Sequence, residues 1–286
     1  MWFRGRLASM AEAPLPIGPG GLTGGESLFE TLRLRSGGFF RLEAHIDRLT
    51  AGVRRLGWRV ATWGAGGLAD AAREACARVA EMARREPDGA RVRITVCRLG
   101  EEADLWVTAV PYIDRWPREG VRLIRAKAAL EERLPWSGLK HGHRLPYHWA
   151  LQEAAERGAH EAVLVTRSGY LAEGAVSNLF WTRGGRLFTP ASDLGILPGI
   201  TRLAVLEAAE EMGLPICEGA FAPVALDEAE EIFLTNAGAG VAQVVALDGR
   251  PVSIGPVSGA LREALQRKIA RESAWPGGGE VKTGGV

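Results

Sequence analysis

Residues 139–180 read Leu139-Lys-His-Gly-His-Arg-Leu145, then a helix-forming stretch, then Glu161-Ala-Val-Leu-Val165 and Leu171-Ala-Glu-Gly-Ala-Val-Ser-Asn-Leu-Phe180. Two residues of this stretch carry chemistry, Lys140 and Glu173. Lys140 follows a Gly/Ser/Pro-rich approach, Leu134-Pro-Trp-Ser-Gly-Leu139, and precedes a helix expected to open at Pro146, a residue suited to the first helical position. A lysine at such an edge can face a cavity. Glu173 lies in an apolar run bounded by the turn signals Arg167-Ser-Gly-Tyr170 and Arg183-Gly-Gly-Arg186, which predicts the second strand of a three-stranded meander. A carboxylate in an apolar run calls for a cationic partner.

A lysine that can become a neutral amine, with a carboxylate fixed on a rigid strand, meets the needs of pyridoxal phosphate chemistry. The amine holds the aldehyde as a Schiff base, and the carboxylate keeps the pyridine nitrogen protonated so that the ring withdraws electrons. Taken alone, the pair reads more readily as a solvated lysine and a surface glutamate.

The surrounding motifs narrow the reading. Leu139-Lys140, Gly169-Tyr-Leu-Ala-Glu-Gly-Ala-Val-Ser-Asn-Leu-Phe180 and Leu197-Pro-Gly-Ile-Thr-Arg202 resemble the class IV (fold type IV) pyridoxal phosphate enzymes, which include branched-chain and D-amino-acid aminotransferases and aminodeoxychorismate lyase. The resemblance covers residues 24–251, in order and with ordinary spacing. It implies a two-lobed α+β fold: a small α/β lobe, and a larger lobe with a mostly antiparallel, barrel-like sheet and flanking helices. It further implies pyridoxal 5'-phosphate as cofactor, a small-molecule amino substrate and a homodimer.

Composition agrees with such a chain. With 286 residues and 47% hydrophobic content, a substantial core can form as one large domain or two modest ones. Tyr112-Ile-Asp-Arg-Trp-Pro-Arg-Glu-Gly120 breaks the pattern of elements, so the expected division is a small lobe over 1–117, a larger cofactor-binding lobe over 118–275, and a Gly-rich disordered tail over 276–286. Charges balance to a formal +1 and no dense basic cluster appears, which argues against nucleic-acid binding. Cys76, Cys97 and Cys217 have no metal-type spacing, and an odd number argues against a disulfide framework, so buried reduced thiols in a cytoplasmic protein are expected. His141, His143 and His148 lack the Cys or acidic companions of a metal site. No run reaches a membrane-spanning length, and the first residues lack a signal-peptide core.

Along the chain, residues 27–35 alternate as a strand, Ser36-Gly-Gly38 turns, and residues 39–42 return as a hairpin. Ile46, Leu49, Val53 and Leu56, spaced by three or four, predict an amphipathic helix over 43–57 with Arg48 beside its apolar stripe. A helix over 67–85 and strands over 91–98 and 104–110 follow, joined by the short turn Leu99-Gly-Glu-Glu-Ala103.

An anionic phosphate needs donors already oriented, and helix N-termini supply them. Gly199-Ile200-Thr201 fits such a start, although Pro-Gly-Ile-Thr also reads as an ordinary helix start with a Thr cap. Thr235-Asn236, followed by Ala-Gly-Ala-Gly240, offers hydroxyl and amide donors. The resemblance implies that Arg48, in His45-Ile-Asp-Arg-Leu49, joins both in holding the phosphate, and that Asn178 and Ser177 orient Glu173 or brace the meander.

Lys140 is then the Schiff-base lysine and general base, and Glu173 the pyridinium partner. Three features lean toward aminodeoxychorismate lyase over an aminotransferase: Lys140-His-x-x-Arg144-Leu145, Thr31 in Phe29-Glu-Thr-Leu-Arg33, and Thr235-Asn236. Two features depart from the family pattern. Leu22-Thr-Gly-Gly-Glu-Ser27 lacks the usual tyrosine, and the turn after Arg98 carries neither Arg nor His, so recognition of a substrate carboxylate falls to Arg93 or Arg98, comes from a partner subunit, or is of a different kind.

Overall fold

The alternating run at 27–35 folds as strand Ser27–Arg35, with Leu28, Glu30, Leu32 and Leu34 buried on one face. It pairs antiparallel along its length with Ala90–Leu99, which continues through a two-residue turn into Glu102–Pro111. In the computed structural model, which describes residues 1–3, 5–9, 21, 24–60, 67–84 and 86–276, these strands centre an eight-stranded sheet. Its order is Ser273–Ala274, Gly38–Phe40, Ser27–Arg35, Ala90–Leu99, Glu102–Pro111, Trp2–Phe3, Arg6–Leu7, with Arg59–Val60 beside Glu102–Pro111. Helix Leu42–Arg55 buries Ile46, Leu49 and Val53, the predicted stripe, and helix Gly67–Ala83 buries a row of small side chains from Ala71 to Ala83.

A second sheet of nine strands runs Leu171–Gly174, Glu161–Thr166, Val121–Leu130, Gly240–Leu247, Glu231–Asn236, Asn178–Arg183, Arg186–Pro190, Ile216–Gly219, with Arg250–Pro251 beside Gly240–Leu247. Most pairings are antiparallel; Val121–Leu130 is parallel to both neighbours, and Arg186–Pro190 is parallel to Ile216–Gly219. The core on this sheet gathers Trp116, Leu123, Leu179, Trp181, Ile232 and Leu234. Helix Leu145–Glu156 packs Tyr147, Ala150 and Ala154 against Ile124, Ala162 and Leu164.

The expected meander is corrected here. The apolar run breaks at residues 174–177, where Gly174 and Ser177 form an isolated bridge, and its halves join different neighbours. Leu171–Gly174 is an edge strand paired with Glu161–Thr166, whereas Asn178–Arg183 pairs with Glu231–Asn236. Glu173 is therefore the third residue of a four-residue edge strand, with Gly174 between it and the turn.

Cα proximity divides the chain into two units. One comprises Met1–Ile113, Lys140–His143 and the described residues from Ile269 on; the other comprises Asp114–Leu139 and Arg144–Lys268. Residues 277–286, nearly all of the expected tail, and Leu22 and Thr23 of the segment lacking tyrosine lie outside the described residues. Cys76 and Cys97 are buried, but Cys217 is half-buried on a short strand. No described helix is long and apolar enough to cross a membrane.

Candidate active site

The residues singled out by sequence fall into two groups, one in each unit. In the first, Lys140 is placed by main-chain pairing. The N–H of Phe29 donates to the Lys140 carbonyl at 2.8 Å, and the N–H of Gly142 donates to the Ser27 carbonyl at 2.7 Å, with Leu28 and His141 bridging between them. A Cβ at Gly142 would lie 2.0 Å from Ser27 Oγ, so a side chain there would displace that hydroxyl. Lys140 Nζ lies 5.0 Å from the centre of the Phe29 ring, and the Arg93 guanidinium lies 3.6 Å from the same centre. Thr31 sits directly opposite Arg93 in the ladder, and Arg93 and Lys140 both lie near the Phe29 ring.

The other lysines differ. The chain has four, at 127, 140, 268 and 282. Lys127 is exposed, Lys268 is clasped by Glu211 at 2.6 Å and Glu207 at 3.4 Å, and Lys282 lies outside the described residues. Arg98 also differs from Arg93, since its half-buried guanidinium bonds Glu26 at 3.0 Å and the Gly100 carbonyl at 3.0 Å.

Arg48 reaches a partner that the sequence reading missed. Its Nε donates to Glu30 Oε1 at 2.7 Å and its NH2 to Glu30 Oε2 at 2.6 Å, a bidentate pair on a carboxylate only 1% exposed. His45 Nδ1 completes the cluster at 2.8 Å from Glu30 Oε2. Burial opposes ionisation of Glu30, but the Arg48 charge and the bonds from His45 and Arg48 outweigh it and bring the pKa down to about 2. Burial pushes the His45 pKa down despite the adjacent carboxylate. Neutral His45 facing an ionised carboxylate must carry its proton on Nδ1, because the carboxylate can only accept. The signal was legible in the strand pattern, where Glu30 occupies an inward position between Leu28 and Leu32.

In the second unit, Glu173 is 5% exposed and holds two donors. The Tyr147 hydroxyl donates to Oε1 at 3.1 Å and the Leu197 N–H to Oε2 at 2.9 Å. Asn178 Nδ2 donates to the carbonyl of the same Leu197 at 2.8 Å, so this residue is fixed at both its amide and its carbonyl. Two residues on, a Cβ at Gly199 would fall 2.1 Å from Asn178 Oδ1. Helix Ile200–Glu211 starts at once, with Gly199 extended at its N-cap and no side-chain capping bond. Thr201 is thus inside the first turn and does not cap it, which removes the ordinary-cap reading. The first N–H groups of this helix have no partner in the helix itself.

Thr235 lies opposite Asn178 in the ladder, is 1% exposed, and its Oγ1 has no hydrogen-bond partner among the described residues. Such an orphan in a sheet interior is unusual and suits a hydroxyl that donates to a ligand. Asn236 behaves otherwise: its Oδ1 accepts from the N–H groups of Gly238 at 3.0 Å and Ala239 at 2.8 Å, so that side of the amide builds the turn. Helix start, close-approach glycine, Thr201 and the unsatisfied Thr235 hydroxyl form a donor set that fits an anion such as phosphate.

Residues 27–247 match the model of the amino-transferase class IV family. The chain belongs to this family. It is 28% identical to a D-alanine aminotransferase of Bacillus licheniformis, over 95% of this chain and 98% of that one. It is 27% identical to an aminodeoxychorismate lyase of Bacillus subtilis, over 95% and 94%. Among solved structures, a branched-chain aminotransferase of Thermoproteus uzoniensis with norvaline superposes with a TM-score of 0.82 at 28% identity, covering 95% of this chain and 94% of that one. The α+β fold expected from the sequence is therefore the fold of this family.

Proposed function

We propose that the protein is a pyridoxal phosphate enzyme that converts 4-amino-4-deoxychorismate to 4-aminobenzoate and pyruvate. The cofactor assignment is supported by a buried carboxylate held by two donors at Glu173, and by the anion-binding set at Gly199, Ile200, Thr201 and Thr235. Solved relatives that were determined with pyridoxamine 5'-phosphate and with a phosphopyridoxyl-glutamate agree with it. When bound, the cofactor supplies an aldehyde that condenses with amines and a ring that withdraws electrons from the reacting carbon.

The roles of the chain's own residues follow from their chemistry. Lys140 Nζ is the attachment point and, once released, the base that moves the substrate proton. Glu173 holds a proton on the ring nitrogen. The N–H groups of Ile200 and Thr201 and the hydroxyls of Thr201 and Thr235 bind phosphate, with Arg48 supplying charge. Asn178 fixes Leu197 and through it the approach to Gly199. Asn236 shapes the turn beside Thr235. Arg93, which like Lys140 lies near the Phe29 ring, binds a substrate carboxylate in preference to Arg98. Thr31, opposite Arg93, orients the departing enolpyruvyl group or shuttles its proton. The protein acts as a homodimer in the cytoplasm.

The observation that carries the lyase reading is the ladder pair Thr31 and Arg93 beside Lys140, which sets a hydroxyl and a cation together. An aminotransferase acting on D- or branched-chain amino acids is the second reading, favoured by the full-length likeness to the D-alanine aminotransferase. Product analysis separates them. Aminodeoxychorismate and a panel of L- and D-amino acids are supplied in parallel, and Thr31→Val is compared with wild type. The lyase reading expects 4-aminobenzoate and pyruvate, reduced about tenfold or more in the variant, the loss of one functional hydrogen bond. Brisk transamination without aminobenzoate establishes the second reading instead.

A further inference from the structure

Tyr147 is a buried phenol in the first turn of helix Leu145–Glu156, 9% exposed and packed with Ala150, Ala154, Ile124 and Leu164. Its hydroxyl leaves this apolar packing at one point only, to donate to Glu173 Oε1. Glu173 is the third residue of the short edge strand Leu171–Gly174, close to the turn that follows it. The Tyr147 hydroxyl and the Leu197 N–H both hold its carboxylate. Arg144, the residue before the helix, lies 3.8 Å from the centre of the Tyr147 ring and also donates to the carbonyl of Ala175 in the turn after Glu173. One basic residue thereby braces both the phenol and the turn that carries the carboxylate.

From this arrangement we infer that Tyr147 is the positioning residue for Glu173, setting both the direction of its carboxylate and its readiness to stay ionised. The inference rests on the assignment of Glu173 as the partner of the ring nitrogen. Tyr147 is suited to the task because burial, followed by the Glu173 charge, pushes its own ionisation upward, so it remains a donor across the working range. A donor on Oε1 favours the anion over the neutral acid. The charges acting on Tyr147 are Glu173 and Arg144, and those acting on Arg144 include the buried Glu161 and Arg115.

Tyr147→Phe keeps the ring and removes only the hydroxyl. Three readouts are compared with wild type and with Glu173→Gln: the pH titration of bound-cofactor absorbance without substrate, kcat and KM, and thermal stability of the cofactor-free protein. A carboxylate that loses one donor is harder to ionise, so the acid transition of the absorbance moves up by about one pH unit in Tyr147→Phe, and kcat falls about tenfold with KM little changed. Glu173→Gln loses more turnover and has no such transition. If Tyr147→Phe keeps the wild-type acid transition while Glu173→Gln still fails, the positioning role is overturned and the Glu173 assignment survives. If Tyr147→Phe loses stability alone, Tyr147 is only a packing residue and the inference is also overturned. If Glu173→Gln behaves as wild type, the assignment beneath the inference falls, and the inference with it.

Discussion

Replacing Arg48 by Ala tests whether its pair with Glu30 belongs to the fold as well as to phosphate binding. In the cofactor-free protein the variant leaves a carboxylate that is 1% exposed with His45 as its remaining side-chain donor. The folded pKa of about 2, against an ordinary 4.5, corresponds to about 3 kcal/mol of stability at neutral pH. Removing one member of a buried ion pair typically costs about 3–5 kcal/mol, a consistent figure. The sign follows from the depressed pKa: the contribution is complete above the unfolded value and is lost as the pH falls from about 4.5 toward 2. Urea unfolding of cofactor-free Arg48→Ala should therefore show a loss of about 3 kcal/mol at neutral pH, with the gap to wild type narrowing in acid. Adding Glu30→Gln removes the stranded charge and should recover part of the stability, while cofactor affinity stays at least about tenfold weaker because the phosphate has lost a charged donor. Cofactor-free Arg48→Ala within about 0.5 kcal/mol of wild type would refute the reasoning, since that is the range of ordinary surface substitutions.

Two other outcomes follow from buried groups. Burial raises the pKa of Glu161 to about 7, against backbone bonds and the Arg115 charge that lower it, so the folded state holds this proton more tightly than the unfolded chain. Stability should then be complete below about pH 4.5 and decline as the pH rises through 7, by on the order of 3 kcal/mol, and Glu161→Gln should flatten that decline in unfolding titrations. Thr235→Val should leave cofactor-free stability unchanged or higher, because the hydroxyl it removes has no partner, yet weaken cofactor binding about fivefold or more by equilibrium titration.

The elements legible in the sequence were those governed by local rules. The stripe Ile46, Leu49 and Val53 gave helix Leu42–Arg55, and the alternation at 27–35 gave the central strand of the first sheet. Gly199-Ile-Thr announced a helix start, and the helix begins at Ile200. Long-range pairing was not legible. Lys140 owes its placement to main-chain bonds with Ser27 to Phe29, more than a hundred residues earlier, and no local signal in Leu139-Lys-His-Gly encodes that partner. The meander failed because an uninterrupted apolar run hides a turn made of small residues, and only the register of two distant strands splits it at residues 174–177. Glu30 was legible in part, since alternation places it on the inward face, but which charges it meets depends on packing; nothing in the sequence singled out Tyr147. Arg93 and Arg98 looked equivalent until Glu26 was seen to engage the second.

The central claim is that Lys140 carries the cofactor. Purified protein loaded with pyridoxal phosphate is reduced with borohydride, digested, and mapped by mass spectrometry over its four lysines. A phosphopyridoxyl group on the peptide containing Lys140, and on no other, is the predicted result. Stable modification at Lys127, Lys268 or Lys282 instead, or no modification at any lysine, would contradict the account.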